Sequence, residues 1–299
     1  MTDQILLVMP DRALARDWLY RWIVTAATAS VAGVGLSVMR VGIDYRVIAS
    51  ASQILIIFLA AGIAFAALAP RIPSMAFALS ACADFFCSVA LCLAFSQATL
   101  ALTYVAASAN LPLVDDVFVR LDAAMGFRWD DAYAWVQQHP VLQTVLWWAY
   151  LSTGAQIVSL LLIHSIRAPG EGTGELIWNF IVSLMIVTAI SVFLPAVAKP
   201  GVIGQRHIDV FLAVRSGTLT LLDRSTVAGI VAFPSFHTAM AVICIFSARS
   251  LKWLFWLFAP LNILVIVATV PCGGHYLVDT IAGLAVAAVS ILVVRRARR

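Results

Sequence analysis

The chain is 299 residues long, 63% hydrophobic and only 11% charged, with a mean hydropathy of +0.99. Soluble domains carry about 25% charged residues, so this composition excludes a soluble globular protein and points to an integral membrane one. The formal charge of +4 comes largely from the tail Arg295, Arg296, Arg298 and Arg299, and offers no basic surface for nucleic acid.

Apolar runs of about 20 residues can cross a bilayer as helices. Eight are present, at 18–39, 48–69, 77–105, 141–166, 176–198, 234–250, 252–270 and 275–294. The expected fold class is therefore all-α, a polytopic bundle, with the long third span tilted or kinked. Met1–Arg16 is polar and mixed in charge, and the first span lacks a small-residue cleavage site, which predicts a retained anchor rather than a signal peptide. Spans one and two hold almost no ionisable residue apart from the Arg40–Arg46 turn, and read as packing elements outside the functional core.

Span three carries Asp84, and an intramembrane carboxylate is by default functional or partnered; its place near the span's end equally suits an interfacial residue. Residues 110–140 alternate Asp115, Asp116, Arg120, Asp122, Arg128, Asp130 and Asp131 with Phe118, Leu121, Trp129 and Trp135 at roughly helical spacing. They predict one or two amphipathic helices on the membrane surface, serving either as a connector or as a lid for lipid entry. Span four bears a stripe of Tyr150, Ser152, Thr153 and Gln156, which either lines a pocket or knits helices together. Asp84, Tyr150 and Gln156 are thus candidate pocket residues.

Span five ends at Leu194-Pro195, and Lys199-Pro200-Gly201 follows as a helix-breaking turn behind a cation. Residues 205–233 are too polar to span and hold Arg206, His207, Asp209, Arg215, Asp223 and Arg224. Arg215 is the preferred phosphate clamp, because a guanidinium binds phosphate oxygens bidentately and stays charged. Arg206 is a second choice, and surface pairing of either with Asp209 or Asp223 is the alternative. Four of the cysteines, Cys82, Cys87, Cys92 and Cys244, fall inside spans, and with Cys272 their spacing fits no metal site.

Two stretches concentrate the chemistry. In Phe233-Pro234-Ser235-Phe236-His237, Ser235 stands where a helix N-cap would be, so the following N–H groups are free to face an anion, with His237 in the opening turn. In Gly273-Gly274-His275-Tyr276-Leu277-Val278-Asp279, the i, i+4 spacing puts His275 and Asp279 on one helix face, where the carboxylate can orient the imidazole. Two histidines and an anion site suggest phosphoryl chemistry. The same residues could ligate a metal, but a His/Asp pair beside cations favours an anion, so neither metal nor cofactor is expected.

The Pro-Ser-Phe-His and His-x-x-x-Asp motifs resemble the second and third signatures of the type 2 phosphatidic acid phosphatase superfamily. Phe236, where the phosphatases carry glycine, looks more like the branch containing inositol phosphorylceramide synthase. Lys199 and Arg206 match the order of the first signature, without its following proline. Ala268 and Thr269 stand where the phosphatases carry a Ser-Arg pair. The resemblance covers about 77–294 and implies a six-helix core there, after an N-terminal unit (1–76) and before a basic tail (295–299). It implies a nucleophilic His275, an orienting Asp279, an acid–base His237, and phosphate contacts from Arg215, Lys199, Ser235 and Arg206. The expected partners are membrane lipids, a phospholipid or polyprenyl phosphate donor and a lipid alcohol acceptor. The oligomeric state is left open.

If the N-terminus is cytoplasmic, eleven Lys and Arg lie in inside segments and eight outside, four of the eight in the loop before His237. The positive-inside preference then puts both termini in the cytoplasm of a bacterial inner membrane and the site on the outer face. The expected activity is lipid phosphotransfer through a phosphohistidine. A phosphatase using water is the first alternative, and a non-catalytic lipid carrier on the same scaffold is the second.

Overall fold

The computed structural model describes residues 12–298; most of the polar segment predicted at 1–16, and the terminal Arg299, lie outside them. Eleven α-helices follow in order among these residues: α1 (Arg12–Val38), α2 (Tyr45–Leu68), α3 (Ala76–Ser108), α4 (Asp115–Ala124), α5 (Trp129–Gln137), α6 (Pro140–Arg167), α7 (Glu171–Phe193), α8 (Arg206–Arg215), α9 (Phe236–Ala248), α10 (Lys252–Gly273) and α11 (Leu277–Ala297). Seven of them, α1–α3, α6, α7, α10 and α11, are long and apolar enough to cross a membrane. The protein is an all-α integral membrane bundle.

The predicted span at 234–250 is different. Its helix α9 has 13 residues, about 20 Å at 1.5 Å per residue, against a hydrocarbon core of about 30 Å. It is short because Pro234 has no N–H to continue a helix backwards and Ser235 caps the start, while the Arg249–Leu251 turn ends it. It is also the most enclosed helix. Ala239, Met240, Ala241, Ile243, Cys244 and Ala248 are fully buried, and α6, α7, α10 and α11 pack around them.

Helix α3 is the outer scaffold. Its 33 residues run about 50 Å, enough to carry α1 and α2 on one side and α6 and α7 on the other. Helix α2 shows only Gly62 buried, so its apolar surface faces outward along nearly all its length.

The loops sort onto two ends. At one end, Gly42–Ile43 (β1) pairs in parallel with Leu221–Leu222 (β2), in the register Gly42 to Leu221 and Ile43 to Leu222. Tyr104 at the end of α3 accepts from Ala228 N–H and donates toward the Thr226 and Ala228 carbonyls. This ties the α1–α2 turn and the 216–235 loop to the end of α3. At the opposite end lie Arg167, Arg249, Lys252 and the tail, with Arg249 bonded to Glu175 at 2.8 Å.

Candidate active site

The second histidine motif forms at the break between α10 and α11. Helix α10 ends at Gly274, in a left-handed conformation with φ of 72°. A Cβ there would fall 1.7 Å from the Lys199 carbonyl oxygen, so only glycine fits. Asp279, in the first turn of α11, accepts the Tyr276 N–H at 2.9 Å and lies 3.3 Å from His275 Nδ1 through the same oxygen. Both side chains are buried, Asp279 completely. The pairing read from i, i+4 spacing is present, and the Nδ1 contact leaves Nε2 as the free nitrogen of His275.

The first motif meets it across the helix pair. Ser235 caps α9, accepting from Thr238 N–H at 3.4 Å, and its own N–H donates to the Asp279 carbonyl at 3.0 Å. The motif that supplies His237 is thus bonded to the residue that holds His275. The first N–H groups of α9, on Phe236 and His237, receive no carbonyl from within the helix.

Tyr150 of α6 closes the group. Its ring stacks on His237, and a Cβ placed on Gly273 would lie 3.1 Å from the Tyr150 ring and hydroxyl and 3.0 Å from His275 Cδ2. Little more than a glycine separates Tyr150 from His275. His237, Tyr150, His275 and Asp279 therefore converge at one point.

The remaining expected residues divide. Lys199 reaches the rim: its N–H donates to Gly274 O at 2.8 Å, and its ammonium lies 3.8 Å from Asp130 and over the Trp129 ring. With Leu113, Asp115, Asp116, Val197, Ala198 and Tyr276 it lines a crevice of about 380 Å³, bounded by the residue that follows His275. Arg206 is occupied elsewhere, its guanidinium bonding the carbonyls of Arg224, Ser225 and Val227. Arg215 donates to the Leu111 carbonyl at 2.7 Å and lies over Phe211, within electrostatic reach of Asp115. Gln156 bonds Ser152 and Asn262 and joins α6 to α10. Asp84 accepts from Ser165 and Thr173. Ser165 neighbours His164, whose ring bonds Ser247 in the last turn of α9, roughly 15 Å of helix from His237. Neither Gln156 nor Asp84 makes a bond to the histidine group.

The structure also brings in residues that the motifs did not single out. Helix α4 is bound to the start of α11: Asp122 accepts the N–H groups of Leu277 at 2.9 Å and Val278 at 3.0 Å. Asp115 accepts the Tyr276 hydroxyl and the Val197 N–H. Burial first, and then the Asp115 carboxylate, push the Tyr276 phenol above its ordinary pKa, so it stays a neutral donor. A sequence signal for this existed, since Asp115, Phe118 and Asp122 share the i, i+3, i+7 face and Phe118 is buried between Phe233 and Tyr276. His207 is a further addition, close enough to feel the charge of His275.

Sequence comparison decides the family, because the sequence model of the PAP2 superfamily matches residues 116–293, more than half of the chain. The chain belongs to the PAP2 superfamily. No curated protein and no solved structure matches it. This PAP2 superfamily member is an enzyme of the phosphatase and phosphotransferase type, with membrane lipid phosphates as its general substrate class. The matched segment begins inside α4 and ends inside α11, so it contains both histidine motifs and Asp122, with Asp115 one residue before it.

Proposed function

We propose that this enzyme moves a phosphate-containing head group from a lipid donor to a lipid alcohol, as inositol phosphorylceramide synthases do, through a phosphohistidine. The observation that carries the reading is the His275–Asp279 contact at 3.3 Å through Nδ1, which leaves Nε2 unengaged by the carboxylate. Nδ1–H donates to the carboxylate, which fixes the tautomer and offsets positive charge on the ring. The Nε2 lone pair attacks phosphorus, an Nε2–P bond forms, and the P–O bond to the leaving group breaks. His237, protonated, gives its proton to that leaving oxygen. In the second half the roles reverse: His237 takes the proton of an incoming hydroxyl, whose oxygen bonds phosphorus as the N–P bond breaks. Lys199 at the crevice rim and the free N–H groups of Phe236 and His237 hold charge on the equatorial oxygens.

We further read 77–294 as the catalytic body, and the end carrying the crevice as the outer face of a bacterial inner membrane. The basic residues gathered at the opposite end support that orientation.

The test is product analysis with the purified protein. Phosphatidylinositol and a long-chain polyprenyl diphosphate are each supplied with and without ceramide or diacylglycerol, and products are identified by mass spectrometry. A new phosphodiester lipid that requires the acceptor supports transfer. Phosphate release regardless of acceptor makes the enzyme a hydrolase, and product formation by His275→Ala at the wild-type rate removes the nucleophile.

A further inference from the structure

The cations around the motif histidines are unevenly available. Arg206 spends its donors on three carbonyls of the 224–227 turn, Arg215 is bonded to Leu111 through Nη2 and keeps Nη1 buried without a partner, and Lys199 is shared with Asp130. Position 269, six residues before His275, is a threonine bonded to Ile266 and Thr280. A phosphoryl group at His275 would meet few free donors among these.

His207 has the opposite character. It stands in the first turn of α8, just beyond the 199–204 loop, and that loop is bonded to the residues preceding His275. Lys199 N–H donates to Gly274 O at 2.8 Å, Val202 N–H to Pro271 O at 2.9 Å, and Ile203 N–H to Cys272 O at 2.9 Å. The imidazole thus hangs from a frame locked to the motif. Both its ring nitrogens are shielded from solvent and neither has a hydrogen-bond partner. The backbone of Lys199 and Gly204 lies beside the ring, short of hydrogen-bond geometry, and His275 is within electrostatic reach. Leaving two buried polar nitrogens unpaired costs free energy, and a residue kept only for packing has no reason to bear it.

We propose that His207 is a phosphate ligand of this site, a third histidine that becomes a cationic donor to a phosphoryl oxygen when substrate enters. This rests on the phosphotransfer reading of His275 and adds a specificity element to it. A neutral imidazole tolerates the empty site beside His275, and a bound dianion favours the imidazolium. Burial, then the charge of His275, hold His207 below the ordinary histidine value, with the Lys199 and Gly204 backbone and then Asp209 on its own helix acting the other way. The sign follows: in the free protein His207 is neutral at pH 7, binding a phosphate dianion takes up a proton, and affinity for phosphate rises as pH falls towards the free-state value. The site then accepts either donor class, and binds a dianionic phosphate more tightly than a singly charged phosphodiester.

The experiment uses the full-length protein in detergent with inorganic phosphate as probe. Isothermal titration is run from pH 5.5 to 8 in pairs of buffers of different ionisation enthalpy, with affinities expressed per phosphate dianion and the proton released by monoanionic phosphate subtracted, so that uptake by the protein is counted. Four proteins are compared: wild type, His207→Gln, His207→Lys and His275→Gln. Wild type is expected to bind phosphate more tightly at low pH with proton uptake. His207→Gln should weaken binding about tenfold at pH 6, the loss of one charge-assisted hydrogen bond, and flatten the pH slope. His207→Lys should keep binding at pH 8 with little slope, which separates a lost charge from a damaged fold. His275→Gln should lose turnover yet keep the pH-dependent binding, so the fate of the nucleophile is read apart from that of His207. Phosphate affinity and slope within twofold of wild type in folded His207→Gln would overturn the proposal, and so would failure of wild type to bind phosphate.

Discussion

The ring of Tyr150 lies flat against the imidazole of His237, with 4.2 Å between centroids and 23° between planes. The stack fixes the plane of His237 without using either nitrogen. The Tyr150 hydroxyl itself makes no hydrogen bond among the described residues, and it lies on the side of His275.

Tyr150→Phe keeps the face and loses the hydroxyl, whereas Tyr150→Leu loses both. An aromatic pair contributes about 0.5–1.5 kcal/mol beyond its buried area, so Tyr150→Leu is expected to lower kcat about tenfold while Tyr150→Phe stays within about threefold. Initial rates on a lipid phosphate at saturating substrate check this. Equal losses in the two variants would assign the effect to the hydroxyl and not to the stack.

Asp122 caps a helix 155 residues further along the chain. Removing a helix cap costs about 1 kcal/mol, with a range of about 0.5–2, and here two N–H groups share the one carboxylate. Asp122→Ala should lower Tm by about 2–4 °C per kcal/mol, with Asp122→Asn falling between it and wild type. Thermal unfolding in detergent reads this out, and an unchanged Tm in Asp122→Ala would show that water replaces the cap.

Arg206 and Arg215 should behave differently from each other. Arg206 is a strut for the turn at 224–227, so Arg206→Lys, which cannot fork to three carbonyls, is expected to speed cleavage of the 216–235 loop by proteinase K and to leave inorganic phosphate binding within about twofold. Arg215 lies within electrostatic reach of Asp115, which lines the crevice, and Arg215→Ala should raise KM more than it lowers kcat. A loss of phosphate binding in folded Arg206→Lys would return that residue to the site.

Asp84 belongs to the far end of the bundle. Asp84→Leu leaves the Ser165 and Thr173 hydroxyls buried without their acceptor, at about 1–3 kcal/mol. The expected result is a lower Tm with KM unchanged. A selective loss of turnover at unchanged Tm would instead make Asp84 part of the substrate path.

Membrane class and the His275–Asp279 pair were legible in the sequence because each is local: hydropathy reports the first, and i, i+4 spacing on a helix reports the second. The length of α9 was not. Hydropathy ran on through Pro234 and Ser235, and only the cap at Ser235, itself visible, marked where the helix starts. Arg206 and Gln156 looked like site residues by type, but carbonyls 18–21 residues away and an asparagine on another helix claimed them. His207 was passed over because its relation to His275 depends on the 199–204 loop folding back on Pro271–Gly274, a pairing about 70 residues apart. Asp122 stood among other aspartates, and its distinction was to share a face with Phe118.

The clamp of α4 on α11 has a consequence for biogenesis. Asp115 and Asp122 are made first and wait, while their partners Tyr276, Leu277 and Val278 follow more than 150 residues later, together with His275 and Asp279. Most of the bundle can be inserted while its reactive centre does not yet exist, and the centre is completed when the last helix docks under a strut already in place. A chain not yet extended to α11 would thus occupy the membrane without the His275–Asp279 pair.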